Sequence, residues 1–206
     1  MLEKLKTSPV YELILPFYNY FEVIAWKKRG KTPPTPHLLK QKLIRDLADE
    51  FNLHTMVETG TYLGTMTAAT AKVFRKIFTI ELDHVLYKRA KGKFRNAKHI
   101  KVIEGDSSLV IKKVLPKITA PTLFWLDAHY SGGITSKGKK DSPVVSELRV
   151  ILSHPVKKHV ILMDDANLFT GKGGYPALSE LIKKIKKHTS YNLKVVNNIV
   201  VIKPRA

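Results

Sequence analysis

The chain has 206 residues, enough for one domain with a sizeable core, and its 44% hydrophobic content excludes a largely disordered protein. It contains no cysteine, which excludes disulfides, thiolate metal sites and a cysteine nucleophile and suits a reducing cytoplasm. Lys and Arg number 36 against 17 Asp and Glu, and the resulting charge of +19 attracts acidic partners such as nucleic acid, anionic lipid or acidic glycans.

The N-terminal segment, residues 1–35, is predicted to lie apart from the remaining chain. It contains an aromatic-rich stretch from Val10 to Trp26, the basic run Lys27-Lys28-Arg29 and a proline-rich break over Lys31–Pro36. Such a segment can lie on an anionic membrane surface, or it can pack on the domain or on a second subunit. No apolar stretch reaches the roughly 20 residues of a membrane span. We therefore predict a cytoplasmic protein, with peripheral membrane contact as one option.

The rest of the chain, 36–206, is predicted to form one α/β domain. Its first helix is His37–Phe51, after which short β-rich runs alternate with helical patterns. The predicted strands are Thr55–Glu58, Lys76–Glu81, Ile100–Glu104, Thr122–Asp127 and His159–Asp164. The predicted helices between and after them are Thr65–Phe74, His84–Gly92, Ser107–Leu115, Pro143–Ser153 and Tyr175–Lys187. Alternation of this kind predicts right-handed crossovers and a parallel sheet covered on both faces.

The C-terminal stretch Tyr191–Lys203 has two β runs around Asn197-Asn198, a pair that suits a tight antiparallel hairpin. A mostly parallel, seven-stranded sheet that ends in such a hairpin resembles the Rossmann-like sandwich of class I S-adenosylmethionine (SAM)-dependent methyltransferases. The resemblance covers approximately Thr55 to Lys203 and leaves the N-terminal segment outside.

Every predicted parallel strand ends in an acidic residue. These residues are Glu58, Glu81, Glu104 followed by Asp106, Asp127, and the pair Asp164-Asp165. In open α/β sheets, ligands bind beyond the carboxyl ends of the strands. After the first strand, Gly60 and Gly64 permit a tight turn and a close backbone approach to a ligand. The sequence therefore predicts an acid-lined ligand site at one edge of the sheet.

Three of these stretches resemble methyltransferase motifs in order and spacing. The loop E-x-G-x-x-x-G from Glu58 resembles motif I, Glu81 stands where an acid accepts the ribose hydroxyls, and Asp106 stands where an acid meets the adenine amino group. NAD enzymes also place an acid at the second position, and Asp106 also suits a plain helix cap. The resemblance implies these SAM-binding residues: Glu58, Gly60, Thr61, Tyr62, Gly64, Thr65, Glu81, Asp106, Ser107 and Asp127.

The neighbouring strand ends bring together three carboxylates, those of Asp127, Asp164 and Asp165. Like charges raise one another's pKa, and Mg²⁺ bound by the three acids would resolve the repulsion and lower the pKa of an acceptor hydroxyl. The arrangement resembles the metal-dependent O-methyltransferases, including the sugar-modifying macrocin group. This resemblance implies metal ligation by all three acids and methylation of a hydroxyl on a small molecule or glycan.

His129 lies two residues after Asp127, and we predict that these two residues are catalytic. The histidine suits a general base, with a structural partner of Asp127 as the alternative. The glycine-rich basic loop Ser131–Lys140 suits a lid over an acidic substrate or an ordinary solvated loop. Two other functions remain open: an RNA methyltransferase, which the charge favours, and a non-catalytic scaffold on the same fold.

Overall fold

The computed structural model describes residues 9–127, 143–172, 174–187 and 190–205, with side chains from residue 17 onward. The helices are α1 (Pro9–Lys28), α2 (His37–Glu50), α3 (Thr65–Thr70), α4 (His84–Lys93), α5 (Ser107–Val114), α6 (Val144–Ser153) and α7 (Leu178–Lys186). The strands are β1 (Thr55–Thr59), β2 (Lys76–Glu81), β3 (Ile100–Glu104), β4 (Leu123–Leu126), β5 (Val160–Met163), β6 (Tyr191–Val196) and β7 (Ile199–Pro204). None of the helices in these ranges combines the length and the apolar character that crossing a bilayer requires.

The seven strands form a single sheet in the order β3-β2-β1-β4-β5-β7-β6. Strands β1 to β5 pair in parallel, and β7 runs antiparallel between β5 and β6. The predicted fold class is confirmed, including the C-terminal antiparallel hairpin. The strand order reverses between β1 and β4, so the carboxyl ends of these strands flank the crevice where open α/β sheets bind ligands.

Helices cover both faces of the sheet. Met56 packs with α2, α3 and α4 on one face, whereas its neighbour Val57 packs with α5, α6 and α7 on the other. Strand residues alternate in direction, so the continuous apolar runs of β1, β4 and β5 supply both cores.

Two helices are about one turn shorter than predicted, each for a local reason. Helix α3 ends at Thr70 instead of Phe74; the Thr70 hydroxyl donates to the Met66 carbonyl at 2.8 Å, and the chain then turns so that Phe74 enters the core. Helix α7 begins at Leu178 instead of Tyr175, whose ring packs edge-on against Phe169 at 5.1 Å. Hydroxyl bonding to a carbonyl one turn back and aromatic packing thus override the helical pattern.

The β6–β7 hairpin turn fixes the proline-rich break on the domain. Asn197 and Asn198 adopt the positive φ values, 48° and 62°, that a tight hairpin needs. The Asn197 carbonyl accepts a hydrogen bond from the buried Thr35 hydroxyl, and the Asn198 carbonyl accepts one from Ala166 N at 2.7 Å. One turn therefore anchors both the entrance to α2 and the loop after β5, which places α2 beside the carboxyl edge of the sheet.

Candidate functional site

The loop from β1 to α3 makes a tight glycine turn above the sheet. Gly60 and Gly64 have φ values of 86° and 66°, a region that favours glycine. The Gly60 and Thr61 amides donate to the Ile80 carbonyl at 2.9 and 3.3 Å, so the loop lies against the end of β2. A Cβ at Gly64 would come within 2.8 Å of the Phe94 ring, which leaves no room for a side chain.

Glu58 lies beneath this loop and is only 1% exposed. Its carboxyl accepts hydrogen bonds from the Thr67 hydroxyl, on α3, and from the Thr79 hydroxyl at 2.6 Å, on β2. Burial raises the pKa of Glu58 to about 7, although the two threonine hydroxyls oppose the rise. The described contacts of Glu58 support the loop from below, and its contact with a cofactor remains a prediction.

Glu81, at the tip of β2, is held by backbone amides. Its Oε2 accepts from Tyr62 N at 2.7 Å and its Oε1 accepts from Asp83 N at 2.9 Å. Burial raises the pKa of Glu81, and these amides oppose the rise. Each carboxylate oxygen has two lone pairs, so the fixed side chain retains capacity to accept ribose hydroxyls.

Asp106 caps the N-terminus of α5. Its Oδ1 accepts from Ser108 N at 2.9 Å and from Ser108 Oγ at 2.6 Å. The helix-cap alternative is therefore confirmed, and it does not conflict with a ligand contact, because both hydrogen bonds use the same oxygen.

Glu147, which the sequence analysis missed, lies at the start of α6 and is 1% exposed. The hydroxyls of Ser107 and Thr59 lie beside its carboxyl, and Asp106 is near enough to act on it electrostatically. Burial raises the pKa of Glu147 to about 7, the two hydroxyls lower it, and the negative charge of Asp106 raises it. A buried acid thus lies under the predicted adenine region, in an amphipathic helix that gave no signal of it.

Replacing Glu147 with glutamine is expected to stabilise the protein by about 1–3 kcal/mol at pH 8 and to change little at pH 4.5. The ordinary pKa of a glutamate is 4.5, and that of Glu147 in the folded protein is about 7. The stability that the protonated carboxyl contributes is therefore fully present below pH 4.5 and is lost as the pH rises through about 7. Glutamine keeps the shape and stays neutral. Urea unfolding at both pH values measures the difference, with the exposed Glu180→Gln as the control. Equal destabilisation at both values would contradict the expectation.

Lys40, on α2, reaches the acids at the tips of β4 and β5. Its ammonium donates to Asp164 Oδ2, and the two side chains are 13% and 2% exposed. Burial alone would lower the pKa of Lys40, but Asp164, Asp127 and Asp165 together raise it above its ordinary value. The ammonium therefore stays charged and offsets part of the negative charge of the predicted acid cluster. Burial raises the pKa of Asp164, and the Lys40 charge opposes that rise.

His37 begins the same helix and was also missed. Its Nε2 lies 3.3 Å from the Thr65 hydroxyl and its Nδ1 lies 2.6 Å from Gln41 Nε2. Burial and the Lys40 charge lower its pKa to about 4, although Asp127 raises it. A neutral imidazole therefore links α2 to the start of α3. The only signal in the sequence was a histidine and a lysine three residues apart on one helix after the proline-rich break.

The predicted metal site does not fit the described residues. Asp164 uses Oδ2 for Lys40 and Oδ1 for Asp165 N at 2.9 Å, whereas Asp165 Oδ1 faces Asn198 Nδ2 at 3.3 Å. Across residues 9–127, 143–172, 174–187 and 190–205, no group of three or more acids or histidines is arranged to hold a metal ion. His129 and most of the loop after β4 lie outside the described residues, so their predicted roles stay predictions.

The comparisons establish the fold. No protein-family model and no curated protein matches the sequence. The Bacillus cereus O-methyltransferase in complex with S-adenosylhomocysteine (SAH) is 13% identical, with a TM-score of 0.58 over 100% of both chains. TomG, an O-methyltransferase from Streptomyces achromogenes in complex with SAM, is 14% identical, with a TM-score of 0.54 over 91% of this chain and 89% of that one. The chain has the class I methyltransferase fold.

A ribosomal RNA enzyme shares this methyltransferase fold. The 23S rRNA methyltransferase ErmE is 18% identical, with a TM-score of 0.53 over 80% of this chain and 68% of that one. On the methyltransferase fold of the present chain, the glycine loop, Glu81 and Asp106 lie in order at the tips of β1, β2 and β3. These three lie at the strand ends that the sequence predicted, and their role in binding a cofactor stays a prediction. His37 and Lys40 of α2, which lie beside the same edge, were not predicted.

Proposed function

We propose that the protein is a SAM-dependent methyltransferase that methylates a hydroxyl of a small molecule or glycan. The observation that carries the proposal is the succession of the glycine turn, the amide-held Glu81 and the capping Asp106 along one sheet edge. A close backbone approach, an acceptor for ribose hydroxyls and an acceptor for an adenine amino group are what SAM requires. The methyltransferase fold supports the same assignment.

The residues divide the work between cofactor and acceptor. The loop, Glu81, Asp106 and Ser107 would hold SAM, which when bound supplies an electrophilic methyl group. Asp127 follows β4 with its amide bonded to the Thr59 carbonyl at 3.0 Å, beside the loop. Asp127 would accept the proton that the acceptor hydroxyl loses as its oxygen takes the methyl group, and SAH would be the product that leaves. Orientation of the two reactants supplies much of the rate.

Calorimetric titration with SAH tests the proposal. We expect binding at one site per chain, with and without EDTA. Absence of binding in every condition would contradict the cofactor assignment. Magnesium assistance, which the sequence led us to expect, is not part of the proposal, because Lys40 and the Asp165 amide already engage Asp164, one of the three acids predicted to bind the metal.

An RNA acceptor is the second candidate, and the charge of +19 favours it. The similarity to ErmE also supports it, but that structure aligns with 80% of the chain, against 91% and 100% for the two O-methyltransferases. An acceptor screen that follows release of SAH from SAM distinguishes the two acceptor classes. A non-catalytic scaffold would release no SAH with any acceptor. RNA affinity that falls steeply with salt would favour the RNA acceptor.

The N-terminal segment is proposed to contact an anionic membrane surface. Four aromatic side chains of α1 are between 54% and 71% exposed, namely Phe17, Tyr18, Tyr20 and Phe21. Basic residues follow in the last turn and just beyond, Lys27, Lys28 and Arg29, so apolar and cationic groups adjoin as they do in interfacial helices. Flotation with anionic liposomes of the full chain and of a chain lacking residues 1–35 tests this contact, and equal flotation would contradict it. If the full chain forms dimers and the truncated chain does not, the segment instead packs on a second subunit.

A further inference from the structure

We propose that Lys40 is the resident cation of the acid cluster at the tips of β4 and β5, in place of the metal ion that the sequence analysis predicted there. The inference deepens the proposed function, because it concerns the acceptor side of the same crevice. The ammonium contacts Asp164, and Asp127 and Asp165 lie close enough to act on its charge. The positive charge that the acids require is therefore part of the chain.

A metal ion at the Asp164 carboxylate would compete with contacts that both of its oxygens already accept. One oxygen receives the Lys40 ammonium and the other receives the Asp165 amide at 2.9 Å. A divalent ion would have to displace the ammonium from the Asp164 side chain, which is only 2% exposed. Mg²⁺ also gives up its hydration water reluctantly and binds best where carboxylate oxygens are accessible.

One carboxylate oxygen of Asp165 faces the hairpin turn. Its backbone lies in the left-handed region with φ of 53°, and its Oδ1 faces Asn198 Nδ2 at 3.3 Å. The side-chain amide of Asn198 also makes two hydrogen bonds with Asn167: Nδ2 donates to Asn167 Oδ1 at 2.6 Å, and Oδ1 accepts from Asn167 N at 2.8 Å. A metal ion at this oxygen of Asp165 would therefore compete with the hairpin turn.

The packing of α2 fixes the position of Lys40. Ile44, Leu47 and Ala48 bury one side of the helix in the core against the sheet. At the start of the helix, Thr35 is hydrogen-bonded to the hairpin turn, and His37 contacts Thr65, the first residue of α3. An ammonium delivered from such a helix has a set location, which a catalytic charge requires.

A fixed ammonium can do for the acceptor what a metal ion does elsewhere. It carries three donors in total, and a donor directed to an acceptor oxygen would stabilise negative charge as the hydroxyl loses its proton to Asp127. The acceptor class that fits is therefore an alcohol or phenol whose oxygen approaches between Lys40 and Asp127. The site needs no divalent ion for this role.

Titration with Mn²⁺, followed by the electron paramagnetic resonance signal of the free ion, tests the inference on the full chain. The wild-type protein is expected to take up no stoichiometric Mn²⁺ up to about 1 mM, a range of weak affinity. Lys40→Ala is expected to gain uptake of one ion, because the acids lose their cation, and adding Asp164→Asn should remove it. Lys40→Arg keeps the charge and should bind no ion.

Two results would overturn the inference. One is uptake of one Mn²⁺ by the wild-type protein that Asp164→Asn abolishes, a result that holds even if Lys40→Ala does not fold. The other is a Lys40→Ala variant with cooperative unfolding that gains no Mn²⁺. The titration with SAH is a separate measurement, so failure of the proposed methyltransferase function and failure of this inference are distinguishable.

Discussion

Replacing Glu81 with alanine is expected to weaken the binding of SAH by about 100-fold. The variant removes a carboxylate that would accept two hydrogen bonds from ribose hydroxyls, each worth about 1.5–3 kcal/mol because the acceptor is charged. A loss of about 3 kcal/mol in total corresponds to that factor. It also releases Tyr62 N and Asp83 N, which lose their acceptor. Isothermal titration calorimetry with SAH measures the change.

Glu104→Ala is the matched control, because Glu104 ends the neighbouring strand β3 but is exposed and pairs with His84 at 2.6 Å. We expect its SAH affinity to stay within about twofold of the wild type, as for most surface substitutions. Circular dichroism of Glu81→Ala must show native helix content. An unchanged affinity in a folded Glu81→Ala protein would remove Glu81 from the cofactor site and place the ribose elsewhere.

Much of the fold was predictable because its signals are local. Apolar runs bounded by acids mark β1 to β5, and Asn197-Asn198 marks the hairpin because these residues tolerate the positive φ that the turn requires. Strand ends were also predictable, and with them the acids of the sheet edge, since the carboxyl ends of parallel strands share one side. The glycine loop followed from the spacing of Gly60 and Gly64.

The second wall of the site was not predictable, because it depends on contacts between distant parts of the chain. Lys40 and Asp164 are 124 positions apart, and nothing in a lysine-rich helix distinguishes one lysine from the next. The hairpin turn that anchors Thr35 is further still, 162 positions away. The sequence therefore predicted a magnesium ion among the acids, whereas the contact of Lys40 with Asp164 followed only from the docking of α2.

Replacing Asp164 with alanine is expected to lower the free energy of unfolding by about 3–5 kcal/mol. Removing one partner of a buried ion pair leaves the other charge desolvated and unpaired, and Lys40 is 13% exposed with Asp164 as its direct acceptor. Asp127 and Asp165 remain to act on the ammonium, which places the effect toward the lower end of that range. Urea unfolding at neutral pH, followed by tryptophan fluorescence and circular dichroism, measures the change.

The same helix supplies the control. Lys42 and Asp46 form an ion pair at 2.7 Å on the exposed face of α2, with side chains 67% and 56% exposed, so Asp46→Ala should cost less than about 1 kcal/mol.

A double variant, Lys40→Met with Asp164→Leu, removes both buried charges and should be more stable than Asp164→Ala, because apolar groups can replace a buried pair with little loss. If Asp164→Ala cost no more than Asp46→Ala, the ammonium would have to find compensation from Asp127 and Asp165 or from water. In that case the acids at the strand tips, taken together, would hold the cation, and Asp164 would be one contributor among three.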